Sequence, residues 1–299
     1  MSGLTLLAAL KAFDATARAG SMTLAAKTLG LQQPTLSAHI SRLEQDFGVE
    51  LFYRRGRRLD LTDFGRTLLE HTRRAFSAEE DAHALLVAAK TRYQGCLTVH
   101  AIGPYNLTPV LKAFRRKYPR VRLVVGVGDS RSIAARILDY QGDVGVVLNR
   151  VEHADLHNMP FRQQPLVVFA STRHRLAQQP QICMADLQNE EFVIREEGST
   201  TRTVFEQALA ARGIQIRVSI EMGSRESVRE AVAQGMGLGV VAETAYVADA
   251  RLVKLRLTDS DMKTHVHFVC RSERRQVPLI ADFLETAAQV AQHPETLAF

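Results

Sequence analysis

The 299-residue sequence predicts an α/β protein in three parts: an all-α-type head closed by a basic two-stranded wing, a long helix, and a larger region of two α/β sheets. Three observations carry this. The first 48 residues hold three short helical periods, each stopped by a glycine (Gly20, Gly30, Gly48). A single apolar stripe then runs from Phe64 to Ala89 with no proline. From Gln94 onward, strand-like apolar runs alternate with helical ones, the pattern of mainly parallel sheets covered by helices.

Within the head, Leu6, Leu7, Leu10, Phe13 and Ala17 recur at helical spacing up to Gly20. Ser21 is a natural cap for a short second helix that would bury Leu24, Ala25 and Leu29, with Gly30 as the tight turn of a helix-turn-helix. Pro34 suits the first turn of a third helix, where no intrahelical amide is lost, and Leu36, Ile40 and Leu43 form its inward stripe. VELFYRRGRRLDLT then reads as two short strands joined at Gly56, with four arginines at the tip.

Thr62 can cap the next helix, whose stripe is Phe64, Leu68, Leu69, Phe76, Ala82, Leu85, Leu86 and Ala89. About 28 residues span roughly 42 Å, too long for so small a head to bury, so the stripe is expected to pair with a second copy of itself. Packing on its own chain is the competing reading. Beyond it, CLTVHAI, VRLVVGVG, DVGVVL, LVVFA, EFVIRE, RVSIEMG, GLGVVAE and HVHFVC are the strand candidates. Their number fits two sheets, with a crossover near Pro165, a return strand near His265 and a last helix from about Val277 to Gln292.

The net charge of +6 and pI near 9.4 favour an anionic partner without fixing one. No apolar run is long enough for a membrane helix, and the N-terminal segment lacks the layout of a signal peptide, so a cytoplasmic protein is expected. Cys96, Cys183 and Cys270 are odd in number and far apart, which argues against a disulfide framework or a metal site and leaves a redox sensor as a minor alternative. An enzyme would need a nucleophile with its base, a metal cluster or a cofactor loop. His153 and His157 have no second cluster, and GMGLGV is a strand pattern rather than a phosphate cradle, so neither catalysis nor a cofactor is expected.

A helix in the major groove of double-stranded DNA reads base edges from its N-terminal turns while basic and hydroxyl groups around it hold phosphates. Gln33, Pro34, Thr35, Ser37, Ala38 and His39 lie on those turns. Gln33 matches adenine, Thr35 and Ala38 can meet a thymine methyl, and Ser37 or His39 can reach a phosphate or base edge. Ser21, Arg42, Arg54, Arg55, Arg57 and Arg58 complete the expected DNA-binding set.

These residues also carry a family likeness. AFDATARAGSMTLAAKTLGLQQPTLSAHISRLEQDFGVELFYRRGRRLDLTDFGRTLL resembles the N-terminal region of LysR-type transcriptional regulators, and the resemblance continues along the chain. It implies a winged helix-turn-helix (1–61), a linker and dimerisation helix (62–92) and a two-lobed effector domain (93–299) similar to type 2 periplasmic binding proteins. Lobe 1 would take about 93–164 and 268–299, and lobe 2 about 165–267. The resemblance also implies homodimers that assemble to a homotetramer on promoter DNA, with RNA polymerase as a further partner.

In such sheets ligands bind beyond the carboxyl ends of strands, at helix N-termini whose free amides favour negative charge. Four junctions fit: Gly103-Pro104-Tyr105-Asn106, Asp129-Ser130-Arg131-Ser132, Gly198-Ser199-Thr200-Thr201-Arg202 and Gly223-Ser224-Arg225-Glu226. Each supplies hydroxyl or amide groups and three supply arginine, a set suited to a small oxyanion, although each residue alone could simply cap its helix. Carboxylate, sulfate, phosphate and phosphonate all satisfy it. REEGSTTR, VGDSRSIAARILDYQGDVGVV and GSRESVREAVAQGMGLGVVAE resemble segments of LysR-type regulators associated with aminoethylphosphonate catabolism, which implies 2-aminoethylphosphonate as effector. Ser199, Thr200, Thr201 or Arg202 would then hold the phosphonate, with Ser130 and Arg225 from other junctions, and Asp129, Glu196 or Glu226 would face the ammonium.

Overall fold

The computed structural model describes residues 3–55, 58–90 and 95–292, and the chain divides into two compact units, Met1–Leu86 and Val87–Phe299. In the first, α1 (Gly3–Ala19), α2 (Met22–Leu29) and α3 (Gln33–Phe47) each stop at a glycine in the left-handed region, Gly20 at φ 59°, Gly30 at 66° and Gly48 at 64°. The Ser21 hydroxyl accepts a hydrogen bond from the Leu24 amide at 3.4 Å and so starts α2. Ala12 and Phe13 of α1, Ala25 and Ala26 of α2, and Leu36, Ile40 and Leu43 of α3 form the core. Leu24 and Leu29, expected inside, are exposed. The eight-residue α2 meets its neighbours through the Ala25–Ala26 pair, and methyl-sized contacts bring backbones too close to admit a leucine.

Strands β1 (Phe52–Arg55) and β2 (Arg58–Leu61) form the wing, antiparallel from Phe52↔Leu61 to Arg55↔Arg58. Gly56 and Arg57 lie outside the described residues. The Thr62 hydroxyl donates to the Glu50 carbonyl at 2.6 Å and accepts from the Gly65 amide at 2.9 Å, pinning the start of α4 (Asp63–Lys90) to the segment before the wing. Part of the α4 stripe is covered by its own chain. Leu69, Thr72 and Phe76 are buried, Thr72 donates to the Asp14 carboxylate at 3.0 Å, and Lys11 reaches Glu79 at 2.7 Å. Phe64 and Leu86 remain exposed.

The second unit contains β3 (Gly95–Ala101), α5 (Pro104–Lys117), β4 (Val121–Val127), α6 (Ser130–Leu138), β5 (Val144–Leu148) and β6 (Leu156–Ser171). It continues through β7 (Glu191–Arg195), α7 (Thr200–Ala210), β8 (Arg217–Met222), α8 (Arg225–Ala233), β9 (Gly239–Ala242), β10 (Leu252–Leu255), β11 (Lys263–Arg271) and α9 (Pro278–Gln292). Two lobes result. One sheet runs β4-β3-β5-β11-β6; the other places β9 and β10 against the far half of β6 and joins β7 and β8 to them through a bridge between Phe192 and Leu238. The parallel pairings expected from alternation occur in β3–β4, β3–β5 and β7–β8, whereas the strands shared by both lobes pair antiparallel. The main lobe 1 core runs from Leu97 to Phe161 and resumes at Val266, and that of lobe 2 runs from Leu166 to Met262.

The sequence suggested only LVVFA as a strand around Pro165, yet β6 spans 16 residues and contains Pro160 and Pro165. Proline lacks an amide but tolerates extended backbone at a sheet edge or irregularity. Near Pro160 the pairing with β11 shifts register, between Val266 and His267. The short β10 was also not anticipated. Among the described residues no helix is long and apolar enough to cross a membrane.

Gly65 shows how tightly α4 approaches the wing: a Cβ there would lie 2.3 Å from the Leu51 carbonyl oxygen, a backbone atom that cannot swing aside. Gly65→Ala is expected to destabilise the protein by about 1–3 kcal/mol through overpacking. Urea unfolding measures this; an unchanged midpoint would contradict the packing.

Candidate nucleic-acid interface and ligand cleft

Burying Leu36, Ile40 and Leu43 of α3 turns the opposite side of the helix outward. Gln33, Pro34, Thr35, Ala38 and Arg42 are exposed there, with Ser37 and His39 half-buried at its margins. The first turn of α3 contains no acidic residue, so its free amides present undiluted positive potential. Arg42 lies 3.8 Å from Asp46 on the next turn. Ser21, at the start of α2, already uses its hydroxyl oxygen as a cap and retains its proton for an outside acceptor. Arg54, Arg55 and Arg58 sit at the facing ends of β1 and β2.

In the two-lobed unit the strand ends converge on one arginine. Arg225, the first residue of α8 in lobe 2, reaches into lobe 1, where its guanidinium donates to the Ile102 carbonyl and lies 6.0 Å from the centre of the Tyr105 ring. Gly103 makes room for it: a Cβ at that position would come within 2.7 Å of Nη1. Burial pushes the Arg225 pKa below the ordinary arginine value, and the neighbouring charge of Arg195 pushes the same way.

Arg195, at the end of β7, is held by two 2.6 Å bonds to its neighbour Glu196. Burial works to raise the Glu196 carboxyl, but the bonds from Arg195 outweigh it and hold the group below the usual carboxylate range. Asp129, from lobe 1, opposes this at a distance through like charge, which places the two carboxylates within electrostatic reach of each other across the cleft. Asp129 itself caps α6 by accepting from the Ser132 amide at 2.9 Å, and that bond is the main reason its pKa is lowered.

The other sequence candidates have varied places. The Ser130 hydroxyl accepts from the Leu148 amide at 3.0 Å, tying α6 to the end of β5, and Arg131 is exposed. Ser199 is buried at the N-terminus of α7 with no capping bond from its side chain, and Thr200 and Thr201 are half-buried on the first turn. Arg202 is committed elsewhere, to Glu206 and Glu221 at 2.7 Å each and to the Arg195 carbonyl at 3.0 Å. Pro104 is exposed at the start of α5, while Asn106 is buried with its Nδ2 donating to Gln164 at 3.4 Å. Glu226 is exposed and, with Tyr105, Arg225 and Tyr246, lines a small pocket.

Tyr105, Asp129, Glu196 and Arg225 are therefore brought together, whereas Arg202, the Asn106 amide nitrogen and the Ser130 oxygen are taken up by internal contacts. Arg195 was missed because it was read as part of a strand. The signal available was its position as the last residue of EFVIR, immediately before a capping loop.

Two family models match: "Bacterial regulatory helix-turn-helix protein, lysR family" over residues 7–66, and "LysR substrate binding domain" over 95–292. The HTH-type transcriptional regulator CysL of Bacillus subtilis is 31% identical over 80% of this chain and 81% of its own. The RuBisCO operon transcriptional regulator of Allochromatium vinosum is 32% identical over 92% of this chain and 93% of its own. Full-length CbnR in complex with its target DNA matches at 23% identity with a TM-score of 0.71, covering 95% of this chain and 99% of that one, a likeness of fold. The chain belongs to the LysR family: it is a DNA-binding transcriptional regulator in which a helix-turn-helix reader is joined to an effector-binding domain.

Proposed function

We propose that DNA binding by this regulator is gated by a small anion seated between the lobes, with Arg225 as its principal electrostatic partner. One observation carries this reading. Arg195 and Arg202 are paired with carboxylates, but the hydrogen bond of Arg225 goes to a neutral carbonyl. An oxyanion offers a guanidinium two parallel bonds and a direct charge attraction that a single carbonyl cannot, so an entering anion would draw Arg225 from Ile102 and alter the link between lobes. Ser199, Thr200, Thr201 and the amides opening α7 would share the remaining charge, with Ser130 and the exposed Arg131 at the lobe 1 rim.

The segments around Ser199 and Arg225 support 2-aminoethylphosphonate or a related phosphonate as that anion, and control of phosphonate catabolism as the biological role. With Glu196 engaged by Arg195, Asp129 and Glu226 are the carboxylates left for an ammonium. A second reading, favoured by the similarity to a RuBisCO operon regulator across nine-tenths of the chain, is a carboxylate or other oxyanion serving another pathway.

On the DNA side, Gln33, Thr35 and Ala38 would meet base edges, Ser21, Ser37, His39 and Arg42 the groove walls, and Arg54, Arg55, Arg57 and Arg58 the phosphates. Pairing of two readers through the exposed end of α4 would match two symmetry-related half-sites. The edge valines Val124, Val125 and Val127 of β4 and Val218 of β8 supply apolar surface for a further assembly step to a tetramer, acting beside RNA polymerase in the cytoplasm.

Calorimetry with 2-aminoethylphosphonate, phosphate, phosphonoacetate and acetate decides between the effector readings. Binding of the first with a loss of tenfold or more in Arg225→Ala is expected, and heat from acetate alone would favour the second reading. For the wing, Arg55→Ala with Arg57→Ala should flatten the log–log salt dependence of DNA affinity by about 1.8, from a value near −3.6 if four arginines each neutralise one phosphate. Gln33→Ala should instead relax base preference at a few positions. An unchanged slope in the double variant would remove these arginines from the DNA.

A further inference from the structure

Glu44 is not among the DNA-facing side chains, and its place on α3 is electrostatically unfavourable. The last turn of the helix carries Glu44 and Asp46 and no basic residue, so the Glu44 carboxylate meets the negative end of the helix dipole in a head that binds a polyanion. Asp46 has Arg42 3.8 Å away on the preceding turn. Glu44 instead reaches off the helix: its Oε1 accepts from the Leu51 amide at 2.8 Å, one residue before the wing begins. Its main-chain carbonyl accepts from the amides of Gly48 and Val49, the latter at 3.0 Å. Glu44 therefore governs the course of the chain from the end of α3 to the start of β1.

The same stretch is held from the other side. The Leu51 carbonyl accepts from the Thr62 amide at 3.1 Å, and the Glu50 carbonyl accepts from the Thr62 hydroxyl at 2.6 Å. Leu51 is fully buried, and the Phe52 ring lies 5.5 Å from that of Phe13 on α1. Such apolar contacts are non-directional and seat the base of the wing without fixing its rotation, whereas a hydrogen bond is directional. Rotation matters because the cations sit at the far end. The three steps from Phe52 to Arg55 cover roughly 10 Å, so a turn of about 10° at the base moves the tip by about 2 Å. That exceeds the range of roughly 0.5 Å over which a guanidinium–phosphate bond keeps its length.

We propose that Glu44 is a positioning residue for DNA binding: through the Leu51 amide it sets the angle of the wing to α3, and with it the reach of Arg54, Arg55 and Arg58, a role that rests on the reading of these arginines as phosphate contacts. Glu44 does this without touching DNA. The helix keeps its own seat through Leu36, Ile40 and Leu43, so loss of the Glu44 bond leaves base reading by Gln33 in place and withdraws the wing. Glutamine at this position keeps an acceptor oxygen and drops the charge, which separates the positioning role from a purely electrostatic one.

The test combines hydrogen exchange with salt-dependent DNA binding, using Glu44→Ala and Glu44→Gln variants of the full chain. In Glu44→Ala the Leu51 amide should exchange about tenfold faster or more while those of Ile40 and Leu43 keep their protection; Glu44→Gln should protect all three. The log–log salt slope should flatten by about 0.9 or more in Glu44→Ala, the equivalent of one phosphate contact or more, and stay near the parent value in Glu44→Gln. Adding Arg55→Ala with Arg57→Ala to Glu44→Ala should then flatten the slope by less than about half of the 1.8 expected in the parent, because the wing has already withdrawn. Base preference at the positions that respond to Gln33→Ala should remain that of the parent. Equal slopes in the alanine and glutamine variants, a full further change of about 1.8 on removing the arginines, or faster exchange at Ile40 and Leu43 together with Leu51 would overturn the role of Glu44 and leave the wing on the DNA. A parent slope that does not respond to the arginine substitutions would remove the wing from the DNA, and this role with it.

Discussion

The shape of the larger unit depends on two antiparallel strands that belong to both lobes. Leu156–Ser171 and Lys263–Arg271 run side by side, and their register at Lys263↔Pro165 marks the passage from one sheet to the other. Each lobe completes its sheet on these strands, β5 pairing with β11 in lobe 1 and β9 and β10 with β6 in lobe 2. Neither sheet can form without them, and no peptide connects the lobes elsewhere. Arg225 meets Ile102 and Gly103 across the lobes because of that shared pair, and relative motion of the lobes has only two strands to bend.

Within that frame, charge is distributed unevenly. Arg195 and Arg202 are anchored by Glu196, Glu206 and Glu221, which makes them parts of the scaffold rather than free cations. Arg225 and Arg162 differ: one rests on a neutral carbonyl and the other on an aromatic face. Burial lowers the pKa of both, the mark of a charge that has given up part of its hydration. Arg225 of lobe 2 bonds the Ile102 carbonyl of lobe 1, so a ligand that drew it away would change the link between lobes.

The reader is built more sparingly. A pair of alanines lets α2 lie close to its neighbours, three glycines stop its helices, and Thr62 bonds both to Glu50 and to the first turn of α4. The orientation of the wing relative to α3 thus depends on a few short contacts near Leu51, including the close approach of Gly65.

Much of this was legible in the sequence. Glycine stops, the Ser21 cap, the apolar spacing of α3 and the hydrophobic strands from Cys96 onward are local signals, because the physics that produces them acts within a few residues. Leu156–Gln164 and Leu252–Leu255 were not legible: interrupted by proline and polar residues or very short, they are strands only because partners distant in the chain satisfy their backbones. The same divide runs through the candidate site. Residue type and a position after a strand were enough to select Arg225, Tyr105 and Asp129, but they selected Arg202 equally and passed over Arg195. Which arginine keeps an unspent charge is set by where carboxylates from other elements fall, as with Glu221 of β8 reaching Arg202 of α7. The sequence determined the kinds of groups available; the tertiary structure decided which remain unpaired, because pairing depends on distance in space and not along the chain.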